Sequence, residues 1–141
     1  MIEQDYETFK DRLHERYPLM FSGDYGGIAV DPGWWPIIES LCANIQRYTD
    51  WWNRNREDRP VVEQVVISQI KEKFGGLRFY YQGGGDKIDG MVRMAESWAE
   101  HHCEQCGAPG KIRNSTGWLK TLCDEHDTQR TARYQQFKQE N

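Results

Sequence analysis

An α+β chain is predicted, with helices packed on a small antiparallel hairpin and a compact module at the C-terminal end. Three observations predict it. Apolar residues recur at helical spacing in three separate stretches. A β-rich run, VVEQVVISQIKEKFGGLRFYY, is broken only by Gly75-Gly76. Two short pairs, Cys103-x-x-Cys106 and Cys123-x-x-His126, stand sixteen residues apart near the end. At 141 residues the chain is read as a body, residues 1–102, and a module, residues 103–141, forming one compact unit.

Tyr6, Phe9, Leu13 and Tyr17 lie on one face of a first helix that Pro18 ends. SGDYGGIAVDPG reads as an ordered loop, with Ile28 and Val30 as a short extended piece. Ile37, Ile38, Leu41, Cys42, Ile45, Tyr48, Thr49 and Trp52 form the stripe of a second helix over residues 36–54. Pro36 suits its first turn, where a missing N–H costs nothing. Cys42 sits on that stripe as a small buried hydrophobe. His14 reads as a solvated surface residue.

NRNREDRP is a polar connection. In the hairpin, Leu77, Phe79 and Tyr81 alternate with Arg78 and Tyr80, which marks a strand with one apolar face. The arm before it is ambiguous, because Val66, Ile70 and Phe74 also suit a helix, so residues 61–74 stay open between the two. GGGDKIDG is a turn leading to a third helix over residues 87–102, with Asp86 as N-cap. Ile88, Met91, Val92, Ala95, Trp98, Ala99 and His102 share one of its faces. DTQRTARYQQFKQEN is a terminal helix.

Two residues inside each Cys/His pair let both side chains reach one ion from a tight turn, and Gly107 supplies the positive φ such a turn needs. Three thiolates and one imidazole suit tetrahedral Zn²⁺, so Cys103, Cys106, Cys123 and His126 are read as its ligands. Between the pairs, Lys111-Ile112-Arg113 and Trp118 to Leu122 are extended runs around the turn Asn114-Ser115-Thr116-Gly117. Knuckle, hairpin, then a pair opening a helix is an order that resembles the treble-clef zinc fingers. Four protein ligands close a tetrahedral site, so the zinc is read as structural. His101 and His102 rank behind His126 as ligands. Glu104, Asp124 and Glu125, beside the ligands, are expected to be solvated.

No enzyme class fits. The chain lacks the histidine arrangement of HNH-type nucleases. His102-x-Glu104 overlaps the first knuckle and has no later P-C-x-x-C, as a zinc deaminase requires. Gly75-Gly76 and Gly83-Gly84-Gly85 lack P-loop spacing and read as turns.

The net charge is −4, carried as −4 on residues 1–60, −1 on 61–102 and +1 on 103–141. A general nucleic-acid binder usually has a basic excess, which is missing here. A local basic and aromatic face remains a candidate on the module: Lys111, Arg113, Lys120, Arg130 and Arg133, interleaved with Trp118, Tyr134 and Phe137. The competing expectation puts Trp118 beneath the hairpin. Trp34-Trp35 and Trp51-Trp52 are each expected to turn one ring to the core, and Trp34 and Trp51 are candidate anchors for a protein partner. No apolar run is long enough to span a membrane, and the charged N-terminus does not read as a secretory signal. With cysteines in ligand spacing rather than a disulfide framework, a reducing cytoplasm is expected.

KEKFGGLRFYY followed by C-x-x-C-G and C-x-x-H resembles a group of small zinc-finger proteins encoded by bacteriophages and prophages, whose function is unassigned. The resemblance runs over most of the chain. It implies a bacterial cytoplasm and an accessory role, and it carries no catalytic residues with it. In fingers of this type the fourth ligand is often Cys, whereas here it is His126. The expected function is therefore a zinc-stabilised, non-enzymatic protein that binds a bacterial protein, with inhibition of that protein fitting an accessory role; the alternative is nucleic-acid binding through the basic face.

Overall fold

The computed structural model describes residues 3–141. It is mixed α+β: α1 (Glu3–Arg16), β1 (Ile28–Ala29), a 3₁₀ turn (Pro32–Trp34), α2 (Trp35–Asn55), β2 (Glu63–Lys73), β3 (Gly76–Gly84), α3 (Asp86–Ala99), β4 (Lys111–Arg113), β5 (Lys120–Leu122) and α4 (Asp124–Glu140). No helix among the described residues is long and apolar enough to cross a membrane.

The first sheet has the order β1-β2-β3, with β1 parallel to β2 and β2 antiparallel to β3. Helices α2 and α3 pack on β2 and β3, and Phe9 and Leu13 of α1 complete one core with Ile38, Ile45, Ile67, Ile70 and Leu77. An Arg12–Glu39 ion pair at 2.6 Å ties α1 to α2. Cys42 is buried, as expected of it, and burial pushes its thiol up to about 12.

Residues 63–73 are a strand, and a bulge explains their ambiguous period. Ile67 pairs with Tyr81 while Gln69 pairs with Tyr80, so Ser68 is an extra residue. Val65, Ile67 and Ile70 therefore all face the core, a spacing that alternation alone does not produce.

The hairpin turns through Phe74 and Gly75, at φ 53° and 82°, and Gly76 is already a strand residue paired with Lys73. Positive φ at both central residues suits a type I′ turn, whose usual residues are Asn-Gly. Phe74 is 70 % exposed and gains no burial there. Phe74→Asn should therefore stabilise the protein by about 1 kcal/mol, read as a raised midpoint in urea.

Several expectations need correction. The third helix ends at Ala99, and its N-cap position is Gly85, with Asp86 the first helical residue. Its apolar stripe is wider than the sheet can cover: Ile88, Val92 and Ala99 are buried, while Trp98 is exposed. His102 lies beyond the helix, paired with Pro109. His14 is not solvated but packs against the Phe21 and Tyr25 rings, contacts the Tyr25 hydroxyl, and is held below its ordinary pKa chiefly by burial. Trp34 is fully buried, and Trp35 also packs, stacked on Phe9 at 4.5 Å. Trp34 is thus a core residue and no partner anchor.

Candidate metal centre

The first knuckle is a tight turn held by its own backbone. Cys103 N–H donates to Ala108 O at 2.7 Å, and Gly107 N–H, at φ 81°, donates to Cys103 O at 2.8 Å. β4 and β5 pair with Lys111 opposite Leu122, which returns the chain beside the knuckle. Cys123 is the N-cap of α4, and its Sγ accepts the His126 N–H at 3.4 Å. One helical turn then carries the His126 ring to the same point.

The ligand atoms of Cys103, Cys106, Cys123 and His126 all lie within 4.8 Å of one another, and among the described residues this is the one Cys/His/acid group so placed. A tetrahedral ion with metal–sulfur bonds of about 2.3 Å and metal–nitrogen bonds of about 2.0 Å needs ligand separations of about 3.8 Å (S···S) and 3.5 Å (S···N). The chain places Cys106 Sγ 3.9 Å from Cys123 Sγ, and His126 Nδ1 3.5 Å from Cys103 Sγ and 3.2 Å from Cys123 Sγ. The four residues are positioned to bind one metal ion, with Nδ1 as the imidazole donor. Burial raises the Cys103 thiol, but N–H groups of Cys123, Cys106 and Gln105 more than offset it and hold it below the ordinary value. His101 and His102 are outside the group, and the His102 ring lies 5.1 Å from Trp98.

The module is joined to the body by polar contacts that the sequence does not advertise. Glu104, expected in solvent, is only 2 % exposed. Its carboxylate accepts from the Asp31 N–H at 3.1 Å and pairs with Lys120 at 3.2 Å. Its backbone accepts from Gly33 at 2.7 Å and donates to Thr121 at 2.9 Å. Burial is the main reason its carboxyl is raised, with Lys120 pulling the other way. Lys120 also reaches Glu72 at 3.5 Å, the Thr121 hydroxyl donates to Gly75 O at 2.6 Å, and the Trp34 indole donates to His102 O at 2.9 Å. Lys120→Ala would leave Glu104 buried beside no cation. It should cost about 2–3 kcal/mol in chemical denaturation, well above an exposed ion pair.

The five basic residues read as a candidate nucleic-acid face do not form one open face. Arg113 pairs with Asp124 at 2.7 Å and Asp127 at 3.7 Å, and Lys120 is held by Glu72 and Glu104. Arg130 donates to the Thr116 hydroxyl at 2.6 Å and to Trp118 O. Lys111 and Arg133 are exposed. Trp118 is exposed too, not packed beneath the hairpin. Asp124 and Glu125 are exposed, as expected. Trp51, on α2, is 50 % exposed.

Comparison of the chain with family models, with curated proteins and with solved structures finds no match.

Proposed function

We propose that this chain is a non-enzymatic protein, stabilised by a structural Zn²⁺, that binds another protein. The observation that carries the zinc assignment is the convergence of three sulfurs and one imidazole nitrogen within 4.8 Å of one another, three of the pairs at 3.2–3.9 Å. Four protein ligands leave no coordination position for a substrate or water, so the ion's role is to hold the knuckle and α4 in place. The exposed Trp51 supports a protein target, since Trp is the side chain most enriched among interface anchors. The resemblance of KEKFGGLRFYY and the Cys/His pairs to phage and prophage proteins supports an accessory role in a bacterial cytoplasm, with a bacterial protein as the target. Nucleic-acid binding is the less favoured reading, because Arg113, Lys120 and Arg130 already have intramolecular partners.

Affinity capture from bacterial lysate with the tagged, zinc-loaded protein tests this, with and without nuclease and at two salt concentrations. A discrete protein band that survives both treatments and is lost with Trp51→Ala is expected. Recovery of nucleic acid that disappears at higher salt would instead move the function to the basic residues of the module.

A further inference from the structure

A groove of about 740 Å³ lies between α2 and α3, closed at one end by the knuckle at Cys106 and Gly107. The two helices run antiparallel. Lys87 at the start of α3 stands over Tyr48 and Trp52 late in α2, whereas Trp98 near the end of α3 shares the knuckle end with Pro32 and Gly33. Ile37, Leu41, Met91, Ala95 and Trp98 make the groove apolar, and Met94 lies at its edge. Met94 is 72 % exposed and Trp98 55 %, so two large apolar side chains of α3 face solvent along one side of the groove.

The charge around this groove differs from that of the rest of the body. Residues 1–102 carry a net −5, yet no residue lining the groove bears a carboxylate. Asp31 and the buried Glu104 lie behind its knuckle end, and two cations stand along the helices. Arg47 bonds the lining residue Asn44 at 2.6 Å, and Lys87 sits one turn before Met91. Two of the three acids of α3 fall on the sheet side, Asp89 receiving the Tyr81 hydroxyl and Glu96 accepting the Phe79 N–H, and the third, Asp86, is the first residue of the helix and does not line the groove.

We propose that this groove receives an amphipathic helix of a partner protein, with an apolar face flanked by carboxylates. From Pro36 to Asn44 the groove runs about 12 Å along α2, enough to seat about two turns of a helix. Two flexible methionines and a Trp are suited to packing such a face, read as anchors at i, i+3, i+4 and i+7. Arg47 and Lys87 select acidic flanks and reject basic ones. The zinc has a place in this, because the knuckle it would hold forms the groove's end wall. The proposal rests on the protein-binding reading and names the surface and the partner's chemistry.

The test is selection from a displayed library of random peptides, about 14 residues long, against the full-length, zinc-loaded protein, followed by affinity measurements on the enriched sequences. Enrichment of apolar residues at helical spacing with Asp or Glu beside them is expected. Met94→Glu should weaken these peptides by about tenfold or more. The Arg47→Glu, Lys87→Glu double variant should weaken them about tenfold and favour peptides with Lys flanks. Met94 is exposed, so its variant should keep the wild-type melting temperature, and Trp118→Ala on the module should bind normally. No enrichment, flanks without acid, or peptides indifferent to Met94→Glu would overturn the proposal. So would a concentration-dependent dimer abolished by Met94→Glu, which would give the groove to a second copy. A lysate partner that is still captured by Met94→Glu would overturn the groove while leaving the protein-binding reading intact.

Discussion

Cys106→Ser is expected to remove the bound zinc and lower the melting temperature by roughly 10 °C or more, for a loss of at least about 3 kcal/mol. The substitution is informative because Cys106 is exposed while Cys103 and Cys123 are buried. Ser at an exposed position costs no packing, so a fall in stability reports the metal. Structural zinc supplies on the order of 10 kcal/mol in isolated finger peptides. Less is expected here, since Glu104, Thr121 and Trp34 also hold the module. The parts that depend on the ion alone should melt first. α4 has 17 residues and buries none of them. Beyond its first turns only Arg130 ties it down, through Thr116 and Trp118, and a free helix of that length is marginal in water. Loss of helical signal and faster amide exchange over residues 103–140 should accompany the lost zinc. A chelator should bring the wild-type protein to the same melting temperature and leave the variant unmoved. Unchanged zinc content and melting temperature in the variant would refute the assignment.

Gly33→Ala should be comparably destabilising by a different route. A Cβ there would stand 2.1 Å from the Cys103 carbonyl oxygen and 2.4 Å from that of Glu104. Neither oxygen can retreat cheaply, because each accepts a backbone hydrogen bond, from Gly107 at 2.8 Å and from Gly33 itself at 2.7 Å. The added methyl must push the module away from the body, at about 3 kcal/mol or more. All four metal ligands lie on the module side of this contact, so zinc stoichiometry should persist. The indole of Trp34, which donates to the carbonyl of His102 at the edge of the seam, where His102 pairs with Pro109 of the module, should report the separation as a red-shifted emission. Normal stability in this variant would mean that the seam is looser than the close approach implies. Full zinc with low stability here, against no zinc with low stability in Cys106→Ser, would separate what the metal holds from what the docking contact holds.

These two variants divide what was legible in the chain from what was not. The four ligands were readable because a metal site is a local device: two pairs, each on one tight turn, need only their own spacing and a glycine. α1, α2 and α3 were readable because burial on one face repeats along a helix. The arm at residues 63–73 read as a strand only against a competing helical period, because the Ser68 bulge shifts its inward residues out of strict alternation. Trp34 as a core residue, Glu104 as a buried carboxylate and Gly33 as a contact point were invisible for a shared reason. Each is defined by a partner about 16 to 73 residues away in the chain. Arg113 and Lys120 read as a basic face for the same reason, since a sequence shows a charge but not the carboxylate folded against it.

The sequence by itself determined a mixed α+β chain with a Cys₃His cluster at its C-terminal end, because hydrophobic period and ligand spacing act over a few residues. Only the tertiary structure decided which Trp is core and which is surface, and that the module is stitched to the body through Gly33 and Glu104. It also decided that α2 and α3 leave an apolar groove free of carboxylates. Those features depend on the distances between elements, which packing of the whole chain sets and no local pattern encodes.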